Sequence, residues 1–337
     1  MKYILNETPL KTTNNFRINN ITVDLDIKET EFNEYNLSFK NDLDINTEIK
    51  TGFDSKIGLK TDKYLYLDIT PKKDIKDVLI INYEFNNNSY LASNININLE
   101  HDLNTIIVFR SKTESFLNFK LSVNSKENIN SNITLVNLTS DSSTNLVAIE
   151  NSVNTNSNII TNYVDIKGKL RISNYYSDLY KEKSSSSFNT IYIGNNDERL
   201  DMNYYVKNNN KRTISNMLFQ GALTDNSYKS LKGTIDFVEH VSKSKGEENE
   251  NCILLSDTCK SRSLPMLLCH EEDVVGSHGM SSGKIDSEKL FYLMSKGISE
   301  EEAKRLIIKA NFKIVLDNIL DSSIKNEIEE IINERIK

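Results

Sequence analysis

From Asn20 to about Asp257 apolar and polar positions alternate in short runs, the period-two signature of strands whose side chains point to opposite faces. Leu117, Phe119, Leu121 and Val123 alternate with polar neighbours, as do Ile95, Ile97 and Leu99. Tyr64–Leu67, Ile133–Leu138, Leu146–Ile149, Tyr163–Ile166 and Ile191–Ile193 continue the series, and the pattern predicts roughly twenty short strands. The chain has 45 asparagines, nearly all before residue 250. Asparagine tolerates left-handed turn geometry and can ladder between stacked coils, as a β-solenoid requires. No fixed repeat period shows in the sequence, so a large β-sandwich fits the alternation as well.

At Asp286 the pattern changes to helix. Asp286 can cap a helix with Leu290, Leu293 and Met294 on one face, and Gly297 sits where a helix end favours positive φ. Ser299 and Glu302 form a capping box ahead of Ala303, Leu306, Ile307, Ala310 and Ile314 at helical spacing. A last helix carries Ile324, Ile328, Ile331 and Ile332 on one face. The first two stripes predict packing onto the body of the protein. The terminal stripe, with no later chain to cover it, predicts a face for a partner. The organisation expected is a β core over residues 1–285, its first twenty or so forming a flexible or edge segment, and a helical docking region over 286–337.

Composition narrows the classes. A chain of 337 residues with three prolines and no Pro/Gly-rich linker fits one elongated body with an appendage better than two beads. A net charge of −7 without a basic cluster argues against nucleic acid, whose phosphates need clustered Lys and Arg. The apolar runs Val78–Ile81 and Ile106–Phe109 fall far short of the ~20 residues that span a bilayer. Polar residues enter by Asn6, too early for a secretory signal, and Cys252, Cys259 and Cys269 contain no Cys-x-x-Cys pair. Together these features predict reduced thiols in a cytoplasmic protein.

Motif chemistry is sparse. His101, His240, His270 and His278 show no zinc-enzyme spacing, and neither a phosphate-binding Gly-Lys-Ser/Thr loop nor a dinucleotide fingerprint occurs. Ser277 and His278 adjoin, but neighbours on a strand face opposite ways and make a poor catalytic couple. Glu271-Glu272-Asp273 reads as a solvated acidic edge.

The informative stretch is Glu272-Asp273-Val274-Val275-Gly276-Ser277-His278-Gly279-Met280-Ser281-Ser282-Gly283-Lys284-Ile285-Asp286, followed by Lys289-Leu290-Phe291-Tyr292-Leu293-Met294. It resembles the C-terminal hallmark of the SufB/SufD family, a Ser-His-Gly or Glu-His-Glu turn ahead of a helix reading Leu-Phe-Tyr-Leu. Gly233–Phe237, Gly246–Glu250, Leu254–Asp257 and Pro265 fall in that family's order, so the likeness runs from about Lys211 to Ile319. The chain departs from the family in lacking an obvious N-terminal helical domain.

The resemblance implies a mainly β chain, a right-handed parallel β-helix (β-solenoid) with C-terminal α-helices, pairing with a SufB-like sister subunit and the ABC-type ATPase SufC, and it makes the helical region over 286–337 an ATPase-docking region. It implies a non-catalytic scaffold that holds an iron–sulfur cluster transiently at the subunit interface, with nothing permanently bound. The SufB branch has a cysteine where Glu250 stands and a glutamate where Gly279 stands, so both positions point to the SufD branch. His278 is implied as a ligand of the nascent cluster, and neutral imidazole is a competent iron ligand; without the motif it reads as a backbone-satisfied turn histidine. Cys259 is a second ligand candidate, although buried cysteines more often act as small apolar side chains. Ser277, His278, Gly279, Ile324, Ile328 and Ile331 are the expected partner surface. A homodimeric scaffold is the alternative within the family. A polysaccharide-binding or -processing β-helix is the alternative outside it.

Overall fold

The computed structural model describes residues 1–11, 18–28, 30, 35–40, 45–54, 60–61, 63–86 and 89–336. The chain opens with β1 (Lys2–Leu5), β2 (Ile21–Asp24), β3 (Tyr35–Lys40), β4 (Ile45–Lys50), β5 (Phe53–Asp54) and β6 (Lys60–Thr61). Sixteen strands then alternate between two sheets: β7 (Tyr64–Ile69), β8 (Leu79–Phe85), β9 (Tyr90–Leu99), β10 (Thr105–Ser111), β11 (Phe116–Ser125), β12 (Asn130–Leu138), β13 (Thr144–Ser152), β14 (Asn158–Asp165), β15 (Leu170–Leu179), β16 (Ser185–Gly194), β17 (Arg199–Asn208), β18 (Ile214–Leu223), β19 (Tyr228–Phe237), β20 (Ser244–Leu254), β21 (Lys260–Cys269) and β22 (Val274–Lys284). Even-numbered strands from β8 to β22 form one parallel sheet and odd-numbered strands from β7 to β21 the other. At the first edges of these two sheets β3 and β4 run antiparallel to their neighbours, and β1–β2 and β5–β6 form separate antiparallel ribbons. This is a β-solenoid of about eight turns, with strands starting at Lys2 and ending at Lys284 rather than at Asn20 and Asp257.

The corners explain both the asparagines and the hidden period. Asn128, Asn156, Lys183, Arg212 and Lys243 occupy the same corner on successive coils, all with positive φ. Their N–H groups donate to Thr155, Glu182, Lys211, Ser242 and Asp273, each on the following coil. A left-handed non-glycine residue costs roughly 1–2 kcal/mol, least for Asn, and the inter-coil hydrogen bond offsets part of it. Register partners lie from 26 residues apart (Tyr90 to Phe116) to 32 apart (Tyr228 to Lys260). That drift, with Asn giving way to Lys and Arg at one structural position, erases a constant sequence period. The asparagine ladders are present: Asn124 donates to Asn96 (3.2 Å), Asn189 to Asn162 (3.0 Å) and Asn162 to Asn132 (2.8 Å).

Inward side chains of both sheets form one lumen core, apolar in the early coils and carrying stacked rings such as Tyr83–Phe109 and Tyr175–Phe188. The β1–β2 ribbon places Leu5, Ile21, Val23 and Leu25 over Leu146, Ala148 and Ile172 on the outside of the odd sheet.

Three helices follow, α1 (Ser287–Ser295), α2 (Glu300–Leu316) and α3 (Ser322–Arg335), capped by the side chains of Asp286, Ser299 and Asp321. The apolar faces of α2 and α3 lie on the outside of the even sheet, where Ile308, Phe312, Ile324, Ile328 and Ile332 pack onto its Ile and Val row. Ion pairs fix the docking: Arg110 grips Glu327 through two bonds (2.9 and 2.6 Å), and Arg335 reaches buried Glu198 at 2.6 Å. Glu198 in turn accepts from Arg171 inside the lumen at 2.9 Å.

α2 packs on the body as expected, but the expected roles of α1 and α3 are reversed. Ile324 and Ile328 are buried against the chain's own sheet, and Ile331 is half-buried there, so the terminal stripe is not a free partner face. The most exposed helix is α1, which lies beside α2 and buries none of its residues; Phe291 is 73% and Tyr292 60% exposed. An amphipathic stripe reports that something covers it, not what, and here a chain that folds back supplies the cover.

Candidate functional site

The last coil ends in two edge strands, β22 on the even sheet and β21 on the odd one. Ser277, His278 and Gly279 lie in the middle of β22, paired in register with Glu247, Glu248 and Asn249 of β20. The expected turn is therefore a strand. Gly276, Gly279 and Gly283 are not in the positive-φ region. Gly276 instead allows close packing, since a Cβ there would come 2.9 Å from the Leu267 methyls.

Strand parity sets the facing. Parallel register partners share a face, so His278, Met280 and Ser282 continue the lumen rows of Glu248, Glu250 and Cys252. Ser277 and Gly279 face outward. Being in the last coil, His278 is exposed, with a strand neighbour on one side only.

Directly inside lies a polar lumen that sequence reading missed. Lys229 pairs with Glu250 at 2.5 Å; Tyr192 and Ser263 donate to the same carboxylate, and Lys229 also donates to Ser263 at 2.7 Å. Gly221 makes room for Tyr192, because a Cβ there would fall 2.0 Å from its ring. The Cys252 thiol is buried beside this cluster, and burial pushes its pKa up, away from the reactive thiolate.

Glu248 is different. It is fully buried and both carboxyl oxygens lack a hydrogen-bond partner. Burial, with a smaller contribution from the Glu250 charge, raises its pKa from 4.5 to about 8. A carboxyl that holds its proton in the fold and loses it when unfolded stabilises the fold below the unfolded pKa, and that contribution is lost as pH rises. Stability should thus fall by about 1.4 kcal/mol per pH unit between 4.5 and about 8, and Glu248→Gln should remove this slope. Urea midpoints of both proteins from pH 5 to 8 check it; parallel curves would mean that the ionised carboxylate finds a partner.

The other expected ligand does not join His278. Cys259 sits at the corner before β21, buried, with its thiol donating to the Ser256 carbonyl at 3.1 Å. The rung of His278 is Glu248, six residues before the end of β20 at Leu254, or about 20 Å of strand. Cys269 and His270 are exposed at the other end of β21. Among the described residues no three His, Cys, Asp or Glu side chains converge as a metal cage. Beyond the strands, Tyr292, Leu293, Leu306, Ile307 and Ala310 line an open apolar groove of ≈ 730 Å³ between α1 and α2.

Comparison with known proteins points to one family. Residues 83–311 match the family model described as SUF system FeS cluster assembly, SufBD core domain. The iron–sulfur cluster assembly protein SufD of Bacillus subtilis is 28% identical over 167 residues, covering 49% of this chain and 38% of that protein. SufD of Escherichia coli is 26% identical over 163 residues, covering 48% and 38%. A SufBD family protein of Pyrococcus horikoshii is 31% identical over 140 residues, covering 41% and 30%. The chain thus spans less than two fifths of the length of these curated relatives.

Proposed function

Since the chain belongs to the SufB/SufD family of iron–sulfur cluster assembly proteins and is SufD-like within it, we propose that it is a non-catalytic cytoplasmic scaffold subunit that pairs with a SufB-like sister and a SufC-type ATPase. The observation that carries this reading is the last coil, where an exposed imidazole sits on an edge strand with one side open to another subunit. An edge strand offers unpaired backbone groups to an incoming chain. His278 then lends a ligand to a cluster that is cargo, built between subunits from iron and sulfide and passed on. The departures at Glu250 and Gly279 support the SufD side of such a pair.

His278→Ala should fold and assemble as the wild type does, because an exposed imidazole contributes little burial, and should lower cluster yield in the reconstituted complex. His270→Ala serves as the control for general loss of imidazole and should have little effect. Wild-type cluster yield from His278→Ala complexes would remove the ligand role.

Within residues 286–337 the ATPase-docking surface is assigned to α1 and the groove it forms with α2, in place of the terminal helix. Phe291 and Tyr292 are exposed aromatic anchors of the kind that dominate interfaces. Phe291→Asp should cost about 2 kcal/mol or more of ATPase affinity, roughly thirtyfold, with an unchanged melting temperature. Undiminished ATPase capture by this variant would contradict the assignment.

A further inference from the structure

Glu248 lies in the lumen one rung inside the His278 strand. Its neighbour Glu250 is matched by Lys229, Tyr192 and Ser263. Among the described residues no hydrogen bond reaches either oxygen of Glu248. A buried carboxyl without a partner is unfavourable in either protonation state, since the acid lacks its hydrogen bonds and the anion its counter-charge. The fold nevertheless makes room for it. Gly233 on β19 stands opposite, and a Cβ there would come 1.4 Å from Glu248 Oε1, so any other residue would displace the carboxyl.

The position of the carboxyl suggests what completes it. Glu248 and His278 are register partners on adjacent parallel strands and share the lumen face, with backbones about 4.8 Å apart. Only the last coil separates the carboxyl from solvent, through the partly buried Pro265, Leu267 and Met280. Once a bound cation displaces its proton, the Glu248 carboxyl one rung inside an exposed imidazole offers an O,N donor pair suited to a divalent first-row metal ion.

We propose that Glu248 is an inner ligand for ferrous iron that enters at His278, the cation being held between the imidazole and this carboxylate. The inference rests on the His278 reading and extends it into the lumen. Two donors from one chain leave coordination positions for water and for the sister subunit, which suits a cargo that must leave again.

The test is an anaerobic calorimetric titration of Fe(II) into the full chain, with wild type, Glu248→Gln, His278→Ala and the double variant. Glutamine keeps the volume and removes the charge, and circular dichroism confirms each fold. Expected are losses of about tenfold or more for each single variant, in line with ligand-sphere changes, and a double variant that loses less than the product of the two. If His278→Ala weakens binding while Glu248→Gln binds as the wild type does, the Glu248 assignment is overturned and the His278 role stands. If Glu248→Gln does not weaken binding, or the wild type takes up no Fe(II), the Glu248 assignment is overturned, and the His278 role is then decided by the cluster yield of the reconstituted complex.

Discussion

Deleting residues 299–337 is expected to yield an aggregating chain rather than a solenoid lacking a docking module. The outer face of the even sheet carries Ile80, Val108, Val136, Val164, Ile191 and Ile193, all buried under α2 and α3. Uncovering them creates a continuous apolar patch of the kind that drives association, and each side chain forfeits roughly 1.5–3 kcal/mol of burial. Ile328→Ala is the graded version. Ile328 is fully buried between helix and sheet, and its truncation should cost about 2–5 kcal/mol. Light scattering of the deletion and urea unfolding of the point variant measure both effects. A monodisperse deletion protein with the wild-type melting temperature would show that the helices are separable from the β body.

The second large effect lies in the lumen. Lys229→Met should destabilise the fold by about 3–5 kcal/mol, because it strands the Glu250 carboxylate inside the solenoid, leaving only the Tyr192 and Ser263 hydroxyls bonded to it. Lys229→Met with Glu250→Gln should recover much of that loss, since a buried pair replaced on both sides is often close to neutral. Urea unfolding at neutral pH of the two singles and the double closes the cycle. Equal stability of Lys229→Met and wild type would contradict the stabilising role given to the buried Lys229–Glu250 pair.

Much of the fold could be read from residue pattern. Leu117, Phe119, Leu121 and Val123 do face one core, and the caps at Asp286 and Ser299 are where the sequence placed them. Gly297 has the positive φ expected of a helix end. Other features were invisible for physical reasons. The corner position is defined by backbone conformation, which Asn128, Lys183 and Arg212 satisfy alike, so residue identity does not repeat. The Gly276-Ser277-His278-Gly279 stretch looks like a turn because glycine and serine favour turns, yet here glycine gives packing space on an edge strand.

The lumen site was hidden for a related reason. Ser244 to Asn251 is polar on both faces, so no alternation marks Glu248 and Glu250 as inward-facing. The available signal was a pair of glycines, Gly221 and Gly233, inside strands that otherwise carry larger residues. Glycine within a strand points to another group approaching closely, and here those groups are Tyr192 and Glu248.

Whether this chain acts as a scaffold subunit within an iron–sulfur assembly complex is decided by co-expressing it with its SufB-like sister and SufC-type ATPase, purifying through a tag on this chain, and analysing iron and acid-labile sulfide anaerobically. A scaffold subunit should give a single complex of all three chains that carries both iron and sulfide after reconstitution, with the yield falling when this chain is omitted. Recovery of this chain without the other two, or an undiminished cluster yield from the sister and the ATPase alone, would contradict it.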